Sequence, residues 1–200
     1  DERVATLYPV RKRDALVHIL PRMVGSRSVD GRVFRSVLIR PKTRAGRAFR
    51  SNPSMGPKLL GAMNEPRLRR LELPWANLHA SAKGLARAYA PLAHGGEWEG
   101  RRLVRAETIE QVTPRQTWSE RDEVLQKPIG FSQGFCKDEL HLISPNPRAF
   151  GHTGMGGSTA FADPDAQLSF GYVMNRMDFR VRSPRCIALC NAIYACLANR

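Results

Sequence analysis

The stretch FGHTGMGGSTAFADPDAQLSFGYVMN, residues 150–175, decides how this chain is read. Four of the seven residues from Gly151 to Gly157 are glycine, and His152 and Thr153 are set among them. Two strand-like runs follow, STAFADP (158–164) and AQLSFGYVMN (166–175), joined by Asp163-Pro164-Asp165. Asp side chains bond their own backbone and Pro presets φ, so this joint predicts a turn and the two runs a hairpin. The glycines ahead of them have two readings. They make a tight turn, or they clear the main chain so that a ligand can approach it.

The segments around the hairpin extend the pattern. Downstream, Ser183-Pro184 reads as an N-cap followed by proline at the first helical position. Cys186, Leu189, Cys190, Ile193 and Leu197 then form one apolar stripe, which is expected to lie on the sheet. Upstream, KPIGFSQGF (127–135) reads as a strand and AETIEQV (106–112) as a short helix. SAKGLARAYAPLAHGG (81–96) has Leu85, Ala88, Tyr89 and Leu92 at helical spacing, a stop at Gly95-Gly96, and Pro91 ending or kinking its last turn. Residues 1–70 are punctuated by Pro, Arg and Gly, with one strand expected at RVFRSVLI (32–39). The fold class is α+β: an antiparallel sheet with one face covered by helices. An irregular basic segment (1–70) precedes a helix-plus-sheet core (71–200).

Composition narrows the function classes. With 42% hydrophobic and 25% charged residues, the chain is globular rather than disordered. The opening DERVATLYPVRKRDAL lacks the order of a signal peptide, and no apolar run reaches the length of a membrane span. The net charge of +14 favours polyanions, so nucleic acid is weighed as a partner. RSVLIRPKTRAGRAFR (35–50) is the densest basic run, yet it lacks aromatic interleaving beyond Phe49 and any zinc-finger or RRM pattern. A solvated basic surface accounts for it, and no nucleic acid or membrane partner is expected. The cysteines, Cys136, Cys186, Cys190 and Cys196, contain no C-x-x-C. Cys186 and Cys190 stand one helical turn apart, which suits packing rather than a metal site. They read as reduced cysteines of a cytoplasm-like compartment. No metal or cofactor is expected.

Two motif matches fail in context. Gly130-Phe131-Ser132-Gln133-Gly134 fits G-x-S-x-G, but a nucleophile elbow needs a buried strand before it and a helix after it. LQKPI and FCKDELHLISPNP are neither, so Ser132 is expected on a strand facing solvent; a small α/β-hydrolase using Ser132 is the rival reading. Gly151–Gly157 fits neither G-x-G-x-x-G nor the Walker pattern, and no helix follows to hold a phosphate.

The chain resembles the C-terminal part of the serine β-lactamase/penicillin-binding superfamily, near class C β-lactamases and family VIII esterases. FGHTGMGGSTAFADPDAQLSFGYVMNRM (150–177) is similar to the family's third-motif strand and the strand after it, and LELPWANLHASAKGLARAYAPLAHGGEWEGRRLV (71–104) to its helix-and-turn segment. The resemblance implies a β-lactamase/transpeptidase-like fold and a small ester or amide substrate, cleaved through an acyl-serine. It maps the third motif, Lys-Thr-Gly or a His-Thr-Gly variant, onto His152, Thr153 and Gly154. His152 and Thr153 would then offer donors to the substrate, Gly154 would give it room, and the Met155 backbone N–H would meet the oxyanion. Histidine in place of lysine implies esters, because a neutral imidazole anchors a carboxylate less firmly than an ammonium does. The family's nucleophile is the serine of S-x-x-K, and no serine here has lysine three residues on; Ser54 has Lys58 at the wrong spacing. Ser144-Pro145-Asn146 fits the S-x-N of the second motif but lies six residues before His152 and reads as a turn. With Asp1 as first residue, the expectation is a partial domain without the nucleophile half, inactive alone. A non-catalytic basic binding module is the remaining alternative.

Overall fold

The computed structural model describes residues 4–50, 59–74, 76–137 and 143–199. The chain divides into two compact units, 1–79 with 122–127 and 174–181, and 80–121 with 128–173 and 182–200.

The first unit is helical. The run 32–39, expected as a strand, is instead a helix at Val29–Phe34 that continues as a wider π turn at Arg35–Ile39. Its start explains the difference. Ser28 accepts the Gly31 N–H at 3.1 Å and Asp30 occupies the first turn, so capping outweighs the β-branched alternation. Asp30 also accepts the Val181 N–H at 2.9 Å, and Arg32 donates to the Gln126 carbonyl at 2.7 Å. These two bonds tie three separate pieces of chain together. His18 stacks on Phe179 at 5.0 Å, with the Arg22 and Arg180 guanidinium groups over the same ring. The buried centre is Ala62, Met63 and Leu68, packed by Leu7 and Ala76. The described residues of this segment, 4–50 and 59–70, form a series of short helical pieces.

The second unit is a six-stranded antiparallel sheet in chain order: β3 (Thr117–Ser119), β4 (Ile129–Phe131), β5 (Cys136–Lys137), β6 (Phe150–Thr153), β7 (Thr159–Asp163) and β8 (Leu168–Tyr172). A separate two-stranded ribbon pairs β1 (Glu97–Trp98) with β2 (Arg101–Arg102). Three helices complete it: α1 (Ala82–Ala93), α2 (Ala106–Val112) and α3 (Pro184–Ala198). Ser81 caps α1 by accepting the Gly84 N–H at 3.0 Å, and the helix runs two residues past Pro91 before Gly95 and Gly96, at φ 64° and 91°, turn the chain.

Helices cover both faces of the sheet, not one. On one face Phe150 and Ala162 meet Ala93 of α1 and Ile109 of α2. On the other, Phe161 meets Cys186 and Cys190 of α3, with Leu168, Phe170 and Tyr172 around them. This explains why β7 is buried at all five positions. On β8 the alternation assigns Leu168, Phe170 and Tyr172 to the α3 face and leaves Gly171 to the α1 face. A Cβ on Gly171 would stand 2.4 Å from the Ala82 carbonyl oxygen, so glycine sets how closely α1 lies. The α3 stripe is Cys186, Cys190 and Tyr194; Leu189, expected on it, is exposed at 43%. The run 127–135 is not one strand: β4 ends at Phe131, and a turn with Gly134 at φ 83° leads to β5.

Candidate functional site

β6 runs from the core into the glycine-rich turn. Phe150 is buried on the α1 face and pairs with Ala162, while Gly151 pairs with Phe161. A Cβ on Gly151 would stand 2.2 Å from the Ala160 carbonyl oxygen, so this glycine serves close strand approach. The ladder with β5 stops at Gly151, opposite Cys136. Beyond it, His152 and Thr153 pair only with Ala160 and Thr159 of β7, and that edge of β6 has no ladder partner among the described residues.

Adjacent strand positions alternate, so His152 and Thr153 flank this open edge from opposite faces. His152 is exposed, and its Nδ1 lies 2.8 Å from the Thr153 carbonyl oxygen. A carbonyl only accepts, so Nδ1 carries the proton in that contact. Nε2 of the neutral ring is then an acceptor, and becomes a donor only in the imidazolium. Thr153 is half-buried on the α3 side, opposite Thr159.

The turn is fixed by its own backbone. The Gly154 N–H donates to the Ser158 carbonyl at 2.7 Å, and the Gly157 N–H to the Gly154 carbonyl at 3.1 Å. Gly156 and Gly157 have φ of 84° and 105°, a region that favours glycine, whereas Gly154 is outside it. A Cβ at Gly154 would crowd only the rotatable Ser158 hydroxyl. Met155 is exposed at 45%, and its N–H makes no hydrogen bond among the described residues.

Two sets of contacts were not visible in the sequence, one behind this turn and one at the far end of β7. Cys186 donates to the Thr159 hydroxyl at 2.9 Å, and Cys190 is 4.0 Å from Cys186. The Cys190 hydrogen bond holds the Cys186 thiol below its ordinary value, at about 7, against the opposing effect of burial. All four cysteines are free thiols. Asp163, wholly buried, accepts from Ser144 and Asn146 at 2.8 Å each, from Tyr194 at 2.5 Å, and from the Asp165 and Ala166 N–H groups at 3.1 Å. Burial, then the bond to Asp163, pushes the Tyr194 phenol well above its usual value. Asp163-Pro164-Asp165 announced the turn in sequence; the three side chains that converge on Asp163 left no local signal. They make Ser144-Pro145-Asn146 a support for the hairpin turn.

Ser132 does not face solvent. It is buried just past β4, its N–H donates to the Phe135 carbonyl at 2.9 Å, and the chain returns in β5 rather than entering a helix. The strand–turn–helix context of an elbow is absent there. Among the described residues no three His, Cys, Asp or Glu side chains converge as a metal site would require, and no helix is long and apolar enough to cross a membrane.

Comparison with known proteins identifies the fold and the family. The crystal structure of a family VIII carboxylesterase superposes with a TM-score of 0.69 at 34% identity, covering 98% of this chain and 44% of that one. A penicillin-binding protein homolog from Caulobacter crescentus gives 0.61 at 38% identity, over 72% of this chain and 40% of its own. Esterase/beta-lactamase LipL of Mycobacterium tuberculosis is 35% identical over 106 residues, 53% of this chain and 24% of that protein. The chain therefore spans less than half the length of each of these relatives. The β-lactamase family model matches residues 18–188, across both units and through the whole of β6 to β8, and the chain belongs to the β-lactamase family.

Proposed function

We propose that this chain carries the substrate-edge strand of a serine hydrolase that cleaves small esters through an acyl-serine. The observation that carries the reading is the N–H of Met155, an exposed residue, which makes no hydrogen bond among the described residues and follows a strand whose β5-side edge is open. A substrate carbonyl laid along that edge meets this donor as its oxygen takes up charge. Gly154 supports the same reading. Neither its φ nor its neighbours demand glycine, so clearance for a ligand is what remains to explain it.

The attacking serine is supplied from outside these 200 residues, since none of their serines begins S-x-x-K. Its hydroxyl adds to the ester carbonyl, the tetrahedral oxyanion takes hydrogen bonds from Met155 and from the nucleophile's own N–H, and the alcohol leaves. Water then releases the acid. His152, with Nδ1 held on the Thr153 carbonyl, offers Nε2 at the exposed end of β6 as acceptor or, once protonated, as donor. Thr153 flanks the edge from the other face.

The test uses a fluorophosphonate probe. The full chain alone stays unlabelled, because an unactivated serine is a poor nucleophile. Mixed with a separately produced β-lactamase-family portion that bears S-x-x-K, it yields labelling of that portion's serine and hydrolysis of a short p-nitrophenyl ester. Stoichiometric labelling of the chain alone at Ser132 would sink this reading and establish the elbow in its place.

A further inference from the structure

We propose that Cys186 and Thr159 are positioning residues for the Gly154–Met155 turn, acting through a continuous chain of hydrogen bonds from α3 to its backbone. The proposal rests on the reading of Met155 as the oxyanion donor, and its test is independent of catalysis.

The chain can be followed atom by atom. Cys190 lies 4.0 Å from the Cys186 sulfur, and Cys186 donates to Thr159 Oγ1 at 2.9 Å. With Oγ1 accepting from the thiol, the Thr159 hydroxyl proton turns to the Ser158 carbonyl, 2.7 Å away. That carbonyl also accepts the Gly154 N–H at 2.7 Å. The peptide that carries the Met155 N–H comes next, and its carbonyl, Gly154 O, accepts from Gly157 N–H at 3.1 Å. This peptide is therefore held at its own carbonyl by Gly157, and the peptide before it is held at the Gly154 N–H by Ser158. Arg185, on the same turn of α3 as Cys186, reaches the Gly156 carbonyl at 3.5 Å.

The groups are where such a support has to be. Cys186, Cys190 and Thr159 are buried, so water does not compete for their bonds, and a chain of bonds in low dielectric polarises along its length. Thr159 faces Thr153 across the β6–β7 ladder, which places the support directly behind the strand end. A backbone donor works as an oxyanion hole only if its direction is set before charge develops. Packing alone would be met by valine at 159 and alanine or valine at 186. The hydroxyl and thiol add a fixed proton direction.

The experiment is amide hydrogen exchange and 15N chemical shifts on the full chain, at a pH below the Cys186 value of about 7 so that the thiol keeps its proton. Thr159→Val and Cys186→Ala should each speed Gly154 exchange by about fivefold, the value of one ordinary hydrogen bond, and move the Met155 amide resonance. Cys186→Ser keeps a donor and should restore both readings towards native, while Cys196→Ser, at an exposed position, should change neither. Unchanged Gly154 and Met155 amides in the Thr159→Val and Cys186→Ala chains would overturn the proposal. Equal acceleration across β6 to β8 would also overturn it, since that is general loosening, as would a Cys186→Ser chain no better than Cys186→Ala. If the amides respond but the assembled enzyme shows no esterase activity, the support stands and the functional reading falls.

Discussion

Asp163 offers the sharpest test of how the second unit is held. Its side chain is wholly buried and accepts five hydrogen bonds, three from side chains and two from backbone. In Asp163→Ala all five donors lose their acceptor, and Ser144 is itself 1% exposed, so water does not readily replace it. At ~1 kcal/mol for each donor, less the relief of no longer burying a charge, the cost is about 4 kcal/mol. Asp163→Asn keeps the shape and one acceptor. The Ser144 and Tyr194 hydroxyls can rotate and the Asn146 amide can flip to accept from the new amide, but its two N–H groups cannot serve all three, so about 2 kcal/mol is expected. Tyr194→Phe removes one donor and should cost about 1 kcal/mol. For a chain of this length ~1 kcal/mol lowers Tm by about 2–4 °C, so Asp163→Ala should melt roughly 8–16 °C below the native protein. Thermal melting followed by tryptophan fluorescence, with Trp98 and Trp118 in this unit, reads the series. An alanine variant melting within about 2 °C of native, or less damaged than Tyr194→Phe, would refute the assignment of Asp163 as the centre of this turn.

Other substitutions separate packing from chemistry. Gly171→Ala should cost about 2–3 kcal/mol in urea denaturation, because the added methyl meets α1 backbone rather than a side chain that can swing away; a variant as stable as native would mean that α1 lies farther from β8. Gly154→Ala should change stability by less than about 1 kcal/mol, since it crowds only the Ser158 hydroxyl, yet lower turnover in the enzyme assembled with a nucleophile-bearing portion. In that same assembly His152→Ala should lower kcat/KM by ~10- to 1000-fold with the fold intact; native kinetics on a short-chain p-nitrophenyl ester would remove His152 from the site.

The parts legible in sequence were those whose periodicity and punctuation agreed. Ser183-Pro184, Asp163-Pro164-Asp165 and Gly95-Gly96 mark ends that the structure confirms: α1 stops before the glycines, β7 and β8 flank the Asp-Pro-Asp turn, and α3 starts at Pro184. Failure came where two local rules conflicted. RVFRSVLI has the branched residues of a strand, but Ser28 and Asp30 just ahead of it are helix-starting chemistry, and the cap prevailed. Leu189 has a stripe residue's spacing from Cys186 at i+3, but the buried contacts follow i+4 to Cys190 and on to Tyr194. The second covered face was invisible for a different reason. A single glycine in the strand-like run 166–175 gives no local sign of a helix behind it, yet the lack of a side chain at Gly171 is what lets α1 come close. The candidate site was legible as a composition, His-Thr-Gly among glycines. The proposed support by Thr159 and Cys186, and the Asp163 cluster at the far end of β7, depend on contacts between distant residues, which no local pattern encodes.

The chain-order arrangement of β3 to β8 also bears on how this unit assembles in time. Each strand pairs with its sequence neighbour, so the sheet can grow hairpin by hairpin from short-range contacts, which form quickly. The helices ahead of the sheet are different: α2 packs Ile109 on Phe150 and Ala162, and α1, which precedes every strand, rests on β7 and β8 with its backbone against Gly171. Docking it closes a long loop, whose entropy has to be met before its contacts repay it. The meander is therefore expected to form first and α1 to seal it last. Until then the Phe150 and Ala162 face is open to water, and that interval is when the unit is most prone to self-association.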